Sequence, residues 1–333
     1  MNFIDTDMVQ YIYYVSCSSK NGIIEESLKF YPDKRPILVY KRKGRKITEK
    51  NSEFFNDETQ STSINPKRLY LSELGNSGNE KWENLRNYFT IGNSVVNFST
   101  NGMGPAINEQ AKKIFESNDP EMILVKNKVI KLIQLSDLGI QNMDLVEEIE
   151  SVQKQKETSD TSDESYTEQR KQKRFKTLHN VYNNKEKVAT KELDLYKQGS
   201  TGTIALVGLS AEIIMSLSMK NHRPLWVDEI DNSMHPYMCR FIISLFNHPK
   251  TNTNNSQLIF ATHETTLLDK SNFRKDQIWI TSKDEFGVTK LYSVHDLGIE
   301  GIRDDIPFDK WYMSGKFGGL PKIKEMDIIF NRD

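Results

Sequence analysis

The segment Pro224-Leu225-Trp226-Val227-Asp228-Glu229-Ile230-Asp231 is a short apolar strand that ends abruptly in acids. Its neighbours along the chain narrow the folds open to it. Ser233-Met234-His235-Pro236 opens a helix with Pro236 in its first turn, where a missing amide costs no hydrogen bond. Met238, Phe241, Ile242, Leu245 and Phe246 are expected on one face of that helix. Gln257-Leu258-Ile259-Phe260-Ala261-Thr262-His263 then reads as a second apolar strand, ending in a histidine. Upstream, Gly199-Ser200-Thr201-Gly202-Thr203 precedes the helical run IALVGLSAEIIMSLSM. Helix, strand, acid pair, helix, strand and histidine in this order read as α/β.

Each of these residue types suits phosphate chemistry. A carboxylate at a strand end, here Asp228, can hold a nucleotide's Mg²⁺ through water. The next, Glu229, can orient and partly deprotonate an attacking water, a contribution of about 10²–10⁴ in rate. His263 can reach a γ-phosphate and sense its presence. Glycines at a helix start let backbone amides approach an anion closely, and the helix dipole adds to the attraction. Each feature also has a plainer reading: the acids can cap the following helix, the histidine can be structural, and the Gly-rich start can be only an N-cap.

The rest of the chain is organised differently. From Gln10 to Thr48 aromatic and β-branched residues alternate with polar ones around Lys20-Asn21-Gly22 and Gly44, which predicts antiparallel sheet of at least three strands. The tip Lys41, Arg42, Lys43, Arg45, Lys46 can touch a phosphate backbone or stand as a solvated hairpin end. Residues 49–80 read as connecting loop, with RLYLSEL as one strand at most. KWENLRNYF, INEQAKKIFES and PEMILVKNKVIKLIQLSDLGI read as helices, the last with Gly139 as its C-cap. Residues 147–173 are almost devoid of apolar side chains and read as a loop or disordered insertion, because burial cannot offset their ordering entropy. FKTLHNVYN and KVATKELDLY around Asn183-Asn184-Lys185-Glu186 read as a second hairpin.

With 37% hydrophobic and 27% charged residues, the 333-residue chain can bury one sizeable core or two modest ones. A net charge of −1 leaves any nucleic-acid attraction to local basic clusters. Cys17 and Cys239 are isolated, which excludes a disulfide framework or a cysteine metal site. The N-terminus shows no basic region followed by an apolar run, and Glu212 is expected to break the most apolar helix short of a membrane span. The expected location is cytoplasmic, with no membrane partner.

The order STGT-helix, LWVDEIDNSMHP, LIFATH, then DQIWI, Asp284-Glu285-Phe286-Gly287 and LYSV closely resembles the ABC-like, AAA-type ATPases of the overcoming-lysogenization-defect and RecF-like group. More narrowly it resembles stand-alone bacterial ATP-binding proteins often found in phage-defence loci. The resemblance covers about 175–323 well, including YMSGKFGGLP, and the N-terminal hairpins more loosely. It implies a P-loop NTPase fold of the ABC type, with an antiparallel β lobe over 1–80, a helical insertion over 81–174 and the ATPase core over 175–333. ATP and Mg²⁺ are the implied ligands. Asp228 would serve Mg²⁺, Glu229 hydrolysis and His263 the switch. Ser200 and Gly202 would contact nucleotide held by an opposite subunit, and Asp231 to His235 would form the loop that crosses the dimer interface.

One departure is plain: no GxxxxGK[ST] segment occurs, and Gly315-Lys316 is followed by Phe317. Asn101-Gly102-Met103-Gly104 lacks a lysine. The chain therefore reads as an N-terminally shortened member, either hydrolysing ATP in a homodimer or in a heterodimer with a P-loop-bearing subunit, or serving as a regulatory partner or remnant that keeps the fold. DNA or an effector nuclease is a further expected partner. A third reading is a nucleic-acid-binding module using Lys41 to Lys46 and the cluster Lys171, Lys173, Arg174, Lys176.

Overall fold

Gly22, at φ 70°, makes the first tight turn, and a Cβ there would run into the Pro66 carbonyl oxygen, which accepts the Ile23 amide at 2.7 Å. In the computed structural model, residues 2–4, 9–55, 64–90, 95–97, 105–136, 138–155, 165–219, 224–232, 234–298 and 307–321 are described. Strands β1 (Asn2–Ile4), β2 (Gln10–Ser18), β3 (Gly22–Tyr31), β4 (Ile37–Lys43) and β5 (Lys46–Lys50) pair in chain order as one antiparallel meander. Gly44, at φ 54°, turns β4 into β5. Strand alternation turns Tyr11, Tyr13, Leu28, Val39 and Tyr40 into a core shared with α1 (Tyr70–Leu74) and with Trp82 and Leu85 of α2 (Glu80–Thr90).

Two expectations are corrected in this region. The piece RLYLSEL forms helix α1, not loop or strand, and buries Tyr70, Leu71 and Leu74 at helical spacing. Leu69 offers no side-chain cap. The Glu26 carboxylate supplies it from strand β3, accepting the Tyr70 amide at 2.8 Å and the Leu71 amide at 3.0 Å. The basic tip is not uniformly solvated either, because Arg42 is fully buried on Glu26 and Lys41 pairs with Glu25 at 2.9 Å.

The chain divides into two compact units, one of residues 1–95, 215–226 and 253–259, the other of 96–214, 227–252 and 260–333. The second unit contains α3 (Pro105–Glu116) and α4 (Pro120–Gln134), the latter capped by the Asp119 carboxylate and burying Val125, Val129, Leu132 and Ile133. Helix α4 ends at Gln134 with Leu135 as its C-cap, and Gly139, expected as the cap, instead takes φ 68° just before β7 (Ile140–Gln155).

Strands β7, β8 (Ser165–Asn183) and β9 (Glu186–Asp194) form a three-stranded antiparallel sheet. The insertion expected as loop is thus strand over 147–155 and 165–173, paired from Glu147↔Lys173 to Gln155↔Ser165, while 156–164 lie outside the described residues. Ladder hydrogen bonds and cross-strand ion pairs, such as Lys171 to Glu147 at 2.8 Å, order a segment that composition alone marks as too polar to fold. Asn184 and Lys185, both at positive φ, make the two-residue turn into β9.

Asp194 then caps the short helix α5 (Leu195–Gln198). Helix α6 (Thr201–Ser218) comes next, and among the described residues it alone is long and apolar enough to cross a membrane by length and composition. Glu212 does not interrupt it, contrary to expectation, and Ala205, Leu206, Val207, Leu209, Ala211 and Ile213 are at most 2% exposed, the burial of a core helix. Strand β10 (Leu225–Asp228) lies between β11 (Leu258–Phe260) and β6 (Val95–Asn97) in a second three-stranded sheet. Helix α7 (Pro236–Asn247) joins β10 to β11. The hairpin β12 (Trp279–Lys283) and β13 (Thr289–Ser293) packs Ile280 against Phe308 and Trp311 of α8 (Phe308–Met313).

Candidate functional site

Strands β10 and β11 run parallel, since Leu225 donates to the Gln257 carbonyl at 2.8 Å and Ala261 donates to the Val227 carbonyl at 2.9 Å. Their carboxyl ends therefore open at the same edge, where ligands of open α/β sheets bind. Leu225 and Val227 are buried at 2% each, and Asp228 closes the strand half-buried. Glu229, also half-buried, takes φ 54°, the left-handed region that costs an ordinary residue about 1–2 kcal/mol. The turn is closed by the Asn232 amide on the Glu229 carbonyl at 2.8 Å and pinned by the wholly buried Ile230, whose amide reaches the Ala261 carbonyl at 3.1 Å.

Beyond the turn, the exposed His235 caps α7, its Nδ1 accepting the Tyr237 amide at 3.2 Å, with Pro236 at the first position. The buried stripe of α7 is Cys239, Ile242, Ile243 and Phe246, so Ile242 and Phe246 of the expected face are buried while Met238, Phe241 and Leu245 are only half-buried. The Cys239 thiol donates to the Ile230 carbonyl at 3.5 Å. Burial, with the nearby charges of Asp231 and Glu264, pushes this thiol up to about 11.

His263 is exposed just past β11. Asp228, Glu229, Asp231 and His263 are thus brought to one end of two adjacent strands. Asp231, expected in the loop that crosses the dimer interface and among the nucleotide-binding residues, has an Oδ1 that accepts the Thr262 hydroxyl at 2.6 Å and the His263 amide at 3.3 Å. Sequence reasoning passed over Thr262, whose only signal is a hydroxyl next to the histidine at the end of an apolar strand. Ser200 is exposed at the start of α6, where its Oγ accepts the Thr203 amide at 3.2 Å and lies 2.8 Å from the Thr203 hydroxyl. Those bonds make it an N-cap. Gly202 sits half-buried in the same first turn. Gly199 precedes them at a point where a Cβ would run into the Leu195 carbonyl oxygen.

Of the basic side chains singled out as nucleic-acid contacts, the cluster on β8 is engaged within the chain. Lys171 pairs with Glu147, Lys173 with Glu116, Arg174 with Glu150 and Asp194, and Lys176 with Glu148. Lys43, Arg45 and Lys46 are exposed. No three acids, histidines or cysteines gather as a metal cage among the described residues. Asp228 would hold a Mg²⁺ through water beside nucleotide phosphates, a role that needs one carboxylate and no cage of protein ligands.

A family model described as "AAA domain, putative AbiEii toxin, Type IV TA system" matches residues 5–269, well over half of the chain. No curated protein matches it.

Proposed function

The chain belongs to this AAA-domain family, and from that premise we propose that it binds ATP with Mg²⁺ and hydrolyses the γ-phosphate at the carboxyl ends of β10 and β11. The observation that carries the reading is the convergence of Asp228, Glu229 and His263 on adjacent parallel strand ends. Mg²⁺ would screen the phosphate charge and polarise the transferred group. Glu229 orients a water for attack and accepts its proton as the P–O bond to ADP breaks and inorganic phosphate leaves. Asp228 holds the ion's water shell, and His263 contacts the γ-phosphate. Ser200 and Gly202 face nucleotide bound by a second subunit in a dimer, with the first amides of α6 as anion donors. The family's description supports a setting in abortive infection or toxin–antitoxin biology, with an effector or DNA as downstream partner.

The absence of GxxxxGK[ST] from the 333 residues favours a second reading, in which a partner subunit cradles the phosphates. Thermal unfolding with and without Mg-ATP, alongside phosphate release, tests both. A ligand at about 100 times its dissociation constant stabilises a fold by about 2.7 kcal/mol. Stabilisation and turnover by the chain alone support the first reading, and both appearing only after mixing with a P-loop-bearing homologue support the second. Neither appearing in either case removes the proposal.

A further inference from the structure

We propose that Asp231 and Thr262 are positioning residues that fix where His263 stands relative to the acid pair. The role of His263 itself rests on the functional reading above; the brace rests on geometry. Strand β11 is only three residues long, and past it Ala261 and His263 are exposed, so side-chain packing does not hold this segment in place. Hydrogen bonds do so instead. A single oxygen, Asp231 Oδ1, accepts both the Thr262 hydroxyl at 2.6 Å and the His263 amide at 3.3 Å. The same Thr262 oxygen accepts the Glu264 amide at 3.0 Å, and Glu264 Oε1 then accepts the Thr266 amide at 2.9 Å. Thr262 and His263 are therefore tied directly to the loop that begins at Glu229, and Glu264 is tied to it through Thr262.

That loop is rigid for its own reasons. Ile230 is wholly buried, and its amide is bonded to Ala261, the residue before Thr262. Asp231 therefore sits one residue past a fixed point, and its charge strengthens both bonds it accepts. The consequence is geometric: the backbone bonds of Ala261 fix the two segments together, and past them one carboxylate and one hydroxyl set where His263 stands relative to Glu229. A shift of about 1 Å in a group that meets the reacting phosphate costs up to about 100-fold in rate.

The test uses the full chain, with the P-loop-bearing homologue added if turnover requires it. Thr262→Val keeps shape and loses the hydroxyl, Thr262→Ser keeps the hydroxyl, and Asp231→Asn keeps size and loses charge. We expect Thr262→Val and Asp231→Asn to lower kcat by about 10- to 100-fold with KM and Tm close to wild type, and Thr262→Ser to restore kcat. A second readout needs no turnover: amide exchange at His263 should quicken about tenfold in Thr262→Val and Asp231→Asn, as expected on losing one charge-assisted hydrogen bond, with Ile230 still protected. Wild-type kcat in Thr262→Val, or a loss that Thr262→Ser shares and that tracks Tm, would overturn the proposal. If the wild-type chain shows no turnover at all, the functional reading falls, and the brace stands or falls on exchange at His263.

Discussion

Arg42 Nη1 lies 3.1 Å from Glu26 Oε2, and neither side chain has exposed surface. Every polar group around this pair is satisfied. Glu26 also accepts the Tyr13 and Tyr40 hydroxyls at 2.9 and 2.8 Å and the two α1 amides. Arg42 donates to the carbonyls of Gly44, Arg68 and Asn65. Burial, then the Glu26 charge, pushes both tyrosine hydroxyls well above their usual range, so they remain donors. Removing one charge leaves the other uncompensated in a dry core, so Glu26→Gln and Arg42→Met should each destabilise by about 3–5 kcal/mol. The double variant Glu26→Gln/Arg42→Met should cost less than the sum of the two. Urea unfolding, followed by the fluorescence of Trp82 in the same core, measures all three.

Glu229 combines a chemical role with backbone strain, and two substitutions separate them. Glu229→Gln keeps the strained φ and nearly the same shape, so stability and nucleotide binding should hold while turnover falls by about 10²–10⁴. Glu229→Gly should lose the same turnover but relieve about 1–2 kcal/mol of left-handed strain. Glycine's extra freedom in the unfolded chain offsets about 0.5–1 kcal/mol of that gain. Steady-state hydrolysis and thermal unfolding of both variants check the pairing, and unchanged hydrolysis in Glu229→Gln would leave Asp228 as the supported functional acid.

Asp194 should shape the acid limb of stability. Burial acts to raise its carboxyl, but the Lys197 and Tyr196 amides and the Lys176 and Arg174 charges outweigh it and hold the group below the usual range. The unfolded chain therefore takes up this proton first. The contribution is complete above the ordinary Asp value of about 3.9 and is lost as pH falls through the lower folded value. Asp194→Asn should keep most of the cap to α5 yet flatten the dependence of Tm on pH below about 4, a comparison that thermal scans across pH make directly.

Native thiol labelling should count one cysteine. Cys17 is exposed, whereas Cys239 is buried with its thiol raised to about 11, so at pH 8 it holds almost no thiolate. Mass spectrometry after iodoacetamide should find one adduct on the folded chain and two after urea. Rapid double labelling without denaturant would show that α7 does not seal Cys239 against the acid turn.

Much of the local structure is legible in the sequence alone. Asn21-Gly22 and Gly44 predict hairpins because positive φ at those points is a local steric matter, and the structure has turns at both. The short strands ending at Asp228 and before His263 are visible as apolar runs that stop at ionisable residues. What tertiary structure decided involves partners distant in sequence. Glu26 caps α1 from 44 residues away, so RLYLSEL looks uncapped when read in isolation. Arg42 reads as one more surface cation until Glu26 and the Asn65 and Arg68 carbonyls surround it. Residues 147–155 and 165–173 look unfoldable by composition, yet cross-strand bonds pair them and ion pairs such as Lys171 to Glu147 add to the ladder. The bond from the Thr262 hydroxyl to the Asp231 carboxylate joins residues 31 apart and has no local signal. Periodicity and turn chemistry depend on neighbours within a few residues, whereas buried charge, capping at a distance and the aim of a functional side chain depend on which elements meet.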